Sequence, residues 1–210
     1  PSVNKCLKLA NAPFPFGIGS YLRFTAGSTI YAIFGLYTKK FAKYDITTNA
    51  WTELTDTPDV VGNGGAITYD GTNLYLLRGN NTQDFYRYNI GLNTWTPLTG
   101  SPAAITNGAD LVAGENGYLY AFRGANTLSF YRYDIAGGTW SDPAVVDLPS
   151  GANMNGDGNA VLVNGYIYKL RSATQRTWYR YSIAGDTWSQ LGDAALTINN
   201  AGLIYVSGVN

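Results

Sequence analysis

The chain has 210 residues, with 14 Lys and Arg against 14 Asp and Glu, no histidine, and a composition that is 45% hydrophobic, 14% aromatic and 13% charged. That much apolar material with so little charge excludes a disordered chain, and the charge balance excludes a basic surface for nucleic acid or an anionic membrane. With no histidine and with Cys6 as the single cysteine, the commonest general base, the zinc and copper ligand sets and an intrachain disulfide are all missing.

From the N-terminus, no apolar stretch approaches the roughly 20 residues of a membrane-spanning helix. The opening Pro-Ser-Val-Asn-Lys has no signal-peptide pattern. Residues 6–13 read as a fourth strand and its exit, comparable with Trp51-Thr-Glu-Leu54. Four similar units follow, at about residues 14–54, 58–98, 102–143 and 149–191. In each, one tyrosine (Tyr31, Tyr75, Tyr120, Tyr168) is followed 13 residues later by a second (Tyr44, Tyr88, Tyr133, Tyr181). Seven residues further on stands a tryptophan (Trp51, Trp95, Trp140, Trp188).

The second unit shows the pattern of runs. Strands are expected at Ala66–Tyr69, Leu74–Arg78, Phe85–Tyr88 and Thr94–Leu98, each rich in aromatic or β-branched residues and bounded by Gly, Asn, Asp or Pro. No sustained 3.6-residue period calls for a long helix. Four short strands per unit of this length predict an all-β propeller of four-stranded antiparallel blades. The repeating aromatic rings are expected as structural plates between blades. Residues 199–206 read as one further first strand, so the two termini, 1–13 and 194–210, are expected to share a partial fifth blade. Its second and third strands are absent. We expect the chain to be the first part of a longer propeller; the alternative is a complete chain whose gap stays open or takes another chain, including by self-association.

Within this repeat, Leu74-Tyr75-Leu-Leu-Arg78-Gly79, Phe85-Tyr-Arg-Tyr88 and Asn93-Thr-Trp95-Thr-Pro-Leu98 resemble the kelch repeat in its bacterial or phage style, over about residues 16–191. The glycine pair that closes the second kelch strand departs from that pattern, reading Phe34-Gly35, Arg78-Gly79, Arg123-Gly124 and Arg171-Ser172. The resemblance implies a propeller closed by its own termini. The copper site of the oxidase members needs ligands this chain lacks.

The carboxylates form no calcium-loop pattern, and Asp45 and Asp134 are expected to cap turns. The segments before Trp140 and Trp188 echo the sialidase Asp-box with the aspartate out of register. No nucleophile motif, phosphate loop or dinucleotide fingerprint is present. No catalytic, metal or cofactor residue is therefore assigned. Lys39, Lys40 and Lys43 read as a solvated strand end, and Arg87, Arg132 and Arg180 as exposed or interblade.

For binding, Arg78, Arg123 and Arg171 end the second strands, and Asn63, Asn107 and Asn199 introduce the innermost strands near the channel. Two readings stay open: a ring of donors for a carboxylate, sugar or partner loop, or arginines that staple blades together with asparagines that shape turns, which is preferred. The expected function is a non-enzymatic binding or structural module for a protein or glycan, in an extracellular or virion assembly. The alternative is a carbohydrate-active enzyme or its non-catalytic propeller portion.

Overall fold

The structure is a computed structural model that describes residues 8–25, 27–141, 145–152, 160–170 and 177–193. These residues build four four-stranded antiparallel sheets. Blade 1 holds β1 (Tyr21–Phe24), β2 (Thr29–Ile33), β3 (Phe41–Asp45) and β4 (Ala50–Glu53). Blade 2 holds β5 (Ala66–Tyr69), β6 (Asn73–Leu77), β7 (Phe85–Asn89) and β8 (Thr94–Pro97). Blade 3 holds β9 (Asp110–Ala113), β10 (Tyr118–Phe122), β11 (Phe130–Asp134) and β12 (Thr139–Ser141). Blade 4 holds β13 (Ala160–Val163), β14 (Tyr166–Leu170), β15 (Trp178–Ser182) and β16 (Thr187–Gln190).

In every sheet the strands lie in sequence order. The innermost strands stand side by side, β1 next to β5, β5 next to β9 and β9 next to β13. This is the radial arrangement of a β-propeller. The expected strands of the second unit match β5 to β8 within a residue at each end. The expected fifth blade lies outside the described residues, except for 8–13.

Burial explains the strand compositions. The second strand β6 is almost wholly buried, whereas the outer strand β8 is mostly exposed. Apolar residues therefore fill the second strand nearly continuously and alternate with polar ones further out. The core runs between neighbouring sheets. Phe41, Phe85 and Phe130, each opening the third strand of its blade, wedge against the next blade's Tyr–Trp pair. Ring centroids lie 4.9 and 5.1 Å apart for Phe41 with Tyr88 and Trp95. They lie 4.9 and 5.0 Å apart for Phe85 with Tyr133 and Trp140, and 5.0 and 5.1 Å for Phe130 with Tyr181 and Trp188. Most of these contacts are edge-on or tilted, the geometry the aromatic quadrupole favours.

A polar clamp accompanies each wedge. Trp95 Nε1 donates to the carbonyl of Thr55 at 3.1 Å, and the N–H of Thr55 donates to Asn93 Oδ1 at 3.0 Å. Tyr88 Oη donates to the same Asn93 oxygen at 2.7 Å. One residue of the preceding interblade segment is thus held through both its backbone groups. Blade 1 repeats the clamp on Ala10 through Trp51, Asn49 and Tyr44, and blade 4 on Val146 through Trp188, Asp186 and Tyr181. Asn49, Asn93 and Asp186 have φ of 53°, 53° and 47°, the left-handed region these residues tolerate. In blade 3 the position is Gly138, so Trp140 keeps its bond to Thr99 while the carboxamide arm is replaced by Thr99 Oγ1 donating to Gly138 O.

Two expectations follow. Asn93→Gly keeps the left-handed turn and loses the carboxamide, and is expected to lower stability by about 1–2 kcal/mol. Asn93→Ala is expected to cost about 1 kcal/mol more because of its φ, and urea unfolding of the two variants checks the order. Burial also pushes up the phenols of Tyr31, Tyr75, Tyr88, Tyr120, Tyr133 and Tyr181. Tyr88 is raised to about 12, by burial first and neighbouring Tyr31 second, and Tyr75 and Tyr181 are raised too, by burial first with Asp70 and Asp186 adding. A raised phenol pKa means the folded state holds its proton where the unfolded chain has lost it. Stability is therefore full below pH about 10 and is lost as pH climbs toward 12. Urea midpoints that stay flat between pH 10 and 11.5 would contradict this.

Candidate functional site

The turns that lead into the innermost strands converge at one end of the channel. They repeat in sequence and in shape: Gly19, Gly64 and Gly108 have φ of 80°, 81° and 82°. A Cβ on Gly19 would lie 2.1 Å from the carbonyl oxygen of Gly62, and one on Gly64 would lie 2.2 Å from that of Thr106. The first two turns therefore each rest on the backbone of the next, at a distance only glycine allows. Between them lies a cavity of about 340 Å3, lined by residues 17–21 of blade 1, 63–65 of blade 2 and 107–109 of blade 3. That size is at the small end of ligand pockets.

Among the described residues the lining carries no charged side chain. It consists of five glycines together with Ile18, Ser20, Tyr21, Asn63, Asn107 and Ala109. Ser20 is occupied, accepting from Gly17 N–H at 2.7 Å and donating to Phe34 O at 2.6 Å. The carbonyls of Asn63 and Asn107 are also occupied, by Asn80 N–H at 2.7 Å and Ala125 N–H at 2.8 Å.

Below this lining lies a charged group that sequence reasoning missed. Tyr21 Oη donates to Asp110 Oδ1 at 2.6 Å, joining blade 1 to blade 3. The other Asp110 oxygen accepts from the N–H of Ala160 and lies 3.5 Å from Lys169 Nζ, both in blade 4. Asp110 is 0% and Lys169 1% exposed. Lys169 Nζ also sits 4.8 Å from the centre of the Phe122 ring. Burial first, and the Asp110 charge second, hold the Tyr21 phenol well above its ordinary value. Tyr21 is therefore a neutral hydroxyl at neutral pH, its proton committed to Asp110.

A signal for this group was present in the repeat. By strand register, Tyr21, Ala66 and Asp110 are equivalent, opposite Ile33, Leu77 and Phe122. Lys169, one residue after a repeat tyrosine, stands where the other units have Ala32, Leu76 and Ala121. A charge at a position that is apolar in every other blade marks a departure from pure scaffold.

Of the residues singled out from sequence, Asn63 and Asn107 come together on the cavity wall. Arg78 and Arg123 do not reach it. Arg78 donates through Nε to Val60 O at 2.8 Å and pairs with Asp84 at 2.7 Å and Asp59 at 3.3 Å. Arg123 Nε donates to Ala104 O at 3.3 Å. Both fasten the interblade segment ahead of their own blade. Arg171 and Asn199 lie outside the described residues, as does Cys6.

Arg132 and Arg180 lie over the rings of Tyr118 and Tyr166, each at 4.6 Å. Lys40 pairs with Asp56 at 3.1 Å on the surface. Asp45 Oδ1 accepts from Thr47 and Thr48 N–H, and Asp134 Oδ1 from Ala136 and Gly137 N–H. Among the described residues no cluster of three or more His, Cys, Asp or Glu could hold a metal ion, and no helix is long and apolar enough to cross a membrane.

No family model matches the chain, and no curated protein does. Among solved structures, the structure of YjhT matches with a TM-score of 0.70 at 14% identity, covering 89% of this chain and 68% of that one. At that identity the likeness shows the fold, and it supports a repeat propeller in general rather than kelch repeats in particular. As many as 732 solved chains match, so the architecture alone does not select a function.

The likeness does correct one expectation, that the chain is not an enzyme. The fold it shows gives no ground for excluding catalysis. The physical reason the sequence misled is that missing histidine removes one kind of acid–base group only. Blades 1, 3 and 4 bring a carboxylate, an ammonium and a phenol together from distant parts of the chain, and no local motif announces them.

The buried pair gives a clear expectation. Asp110→Asn should lower stability by about 3–5 kcal/mol, the cost of removing one partner of a buried ion pair. The double change Asp110→Ala with Lys169→Leu, which installs the residues of blade 2, should recover most of that loss. Thermal unfolding of the single and double variants checks it.

Proposed function

We propose that the chain is a carbohydrate-active propeller that takes an uncharged sugar at the channel mouth. The observation that carries this reading is the composition of the cavity wall. Among the described residues it presents amide, phenol and backbone hydrogen-bonding groups from three blades and no formally charged side chain. Such a wall matches a ligand rich in hydroxyl groups, each both donor and acceptor. A carboxylate or phosphate would find no cation in the described lining.

Rigid backbone supports the reading. The glycine turns are locked against one another, so their groups are ordered before a ligand arrives and little entropy is lost on binding. Tyr21 adds a hydroxyl whose position is set by Asp110, leaving its oxygen to accept from a sugar. The Tyr-to-Trp spacing further supports a kelch-like repeat as the scaffold, and the likeness to YjhT supports the same architecture.

A glycan array of neutral and acidic oligosaccharides tests this, with the best ligand followed by calorimetry. Neutral glycans are expected to bind, and Asn63→Ala is expected to weaken binding about tenfold, as loss of one polar contact in a small site does. Mass spectrometry of the incubated glycan then separates turnover from binding alone. Binding confined to acidic glycans, or to protein partners with no glycan retained, would overturn the reading.

A further inference from the structure

Blade 1 differs from its neighbours at the rim of the same cavity. After the second strand, each of blades 1, 2 and 3 makes three consecutive left-handed residues closed by a threonine. These are Gly35-Leu36-Tyr37 before Thr38, Gly79-Asn80-Asn81 before Thr82, and Gly124-Ala125-Asn126 before Thr127. In each turn the threonine hydroxyl donates to the glycine carbonyl, at 2.8, 2.9 and 2.7 Å. The third position has φ of 55°, 59° and 56°. Asparagine occupies it in blades 2 and 3, as expected of a residue that tolerates this region. Blade 1 has a tyrosine there, and a bulky side chain at positive φ is a conformational outlier.

Tyr37 is also exposed, at 54%, although a hydrophobic core lies close by. Its ring rests against the backbone of Gly62, where an added Cβ would lie 2.9 Å from the ring edge. Gly62 adjoins Asn63 on the cavity wall. The turn is pinned from both sides. Leu36 N–H donates to Ile18 O at 2.9 Å, and Val61 N–H donates to Thr38 O at 2.9 Å. One face of the ring is therefore seated on glycine while the remainder meets solvent beside the cavity. Ile18 and Leu36, at 59% and 44% exposure, extend the apolar rim on the same blade.

We infer that Tyr37 is the stacking platform of a sugar subsite, receiving the apolar C–H face of a pyranose ring whose hydroxyl edge reaches the cavity wall at Asn63 and Tyr21. Backbone strain retained at an exposed aromatic in one blade only has just the contact with Gly62 to offset it, and strain of this kind collects at ligand-binding positions. A sugar suits the two surfaces together. It offers an apolar face for the ring and hydroxyls for the uncharged wall, and a rigid tyrosine supplies contact area with little loss of side-chain freedom. The inference rests on the sugar reading above and names the second surface of that site.

Calorimetry with a panel of neutral trisaccharides (maltotriose, cellotriose and triacetylchitotriose) on the unmodified chain, Tyr37→Asn, Tyr37→Trp and Asn63→Ala tests it. Tyr37→Asn installs the residue of blades 2 and 3, so it is expected to raise the melting temperature by about 2–4 °C. The same variant should weaken binding about tenfold. A merely structural role would move stability and affinity in the same direction. Tyr37→Trp should hold affinity within about twofold. On the unmodified chain, nuclear Overhauser contacts between Tyr37 ring protons and sugar ring protons are expected, which needs no variant to fold. Binding that is lost in Asn63→Ala but unchanged in Tyr37→Asn would remove this inference and leave the sugar site standing. No binding of any panel member by the unmodified chain would remove both.

Discussion

The arrangement depends on how each blade grips the chain that comes before it. A four-stranded sheet cannot cover its own two faces, so a blade is stable only against a neighbour. In this protein the contact has an apolar and a polar half. Phe41, Phe85 and Phe130 drive into the Tyr–Trp pair of the next blade, and that same tryptophan, with the left-handed residue of the adjacent turn, captures one residue of the interblade segment. The aromatic wedge supplies most of the burial. The clamp fixes register, because only one residue of the segment presents both its N–H and its C=O at the right spacing.

Once the blades are set in this way, the channel mouth follows. The inner strands are brought so close that their leading turns lie on one another, and only glycine at positive φ fits. Among the described residues the result is an arc of rigid, largely half-buried or buried backbone from three blades with few side chains of its own. Its chemistry is therefore decided by the few positions where one blade differs from the others. Tyr21, Asp110 and Lys169 are such positions on the inner side, and Tyr37 is one on the rim. Regular positions hold the disc together, while irregular ones give it a direction and a site.

The buried Asp110–Lys169 pair shows how far such irregularity can go. Two charges with almost no exposure bring a desolvation cost that a hydrophobic pair would avoid. Blade 2 shows the apolar solution at the same register, with Ala66 and Leu76. The charged version places a carboxylate where it orients a phenol on the cavity wall, so the polar set ties three blades together and fixes the hydrogen-bonding character of the site. Missing histidine removes one kind of acid–base group and leaves carboxylate, ammonium and phenol, so the composition gave no ground for excluding an enzyme.

Periodicity alone determined the repeat, its four units and the run of strands within each. The spacing of Tyr75, Tyr88 and Trp95 is a property of one blade, and a local turn such as that at Asp70, whose carboxylate accepts from Thr72 and Asn73 N–H, needs no distant partner. Asn63 and Asn107 were also legible as channel-facing, since they precede inner strands at equivalent places. Arg78 and Arg123 were legible as a repeating set, but their partners, Val60 O and Ala104 O, are reached only when the interblade segment folds back. Tertiary structure alone decided that residues 21, 110 and 169 meet, because they are far apart in the chain and come from three different blades. It also decided that the tyrosine at 37 is exposed at positive φ. A side chain's solvent face and its cross-channel neighbours are set by the closure of sheets around an axis, which no local pattern encodes.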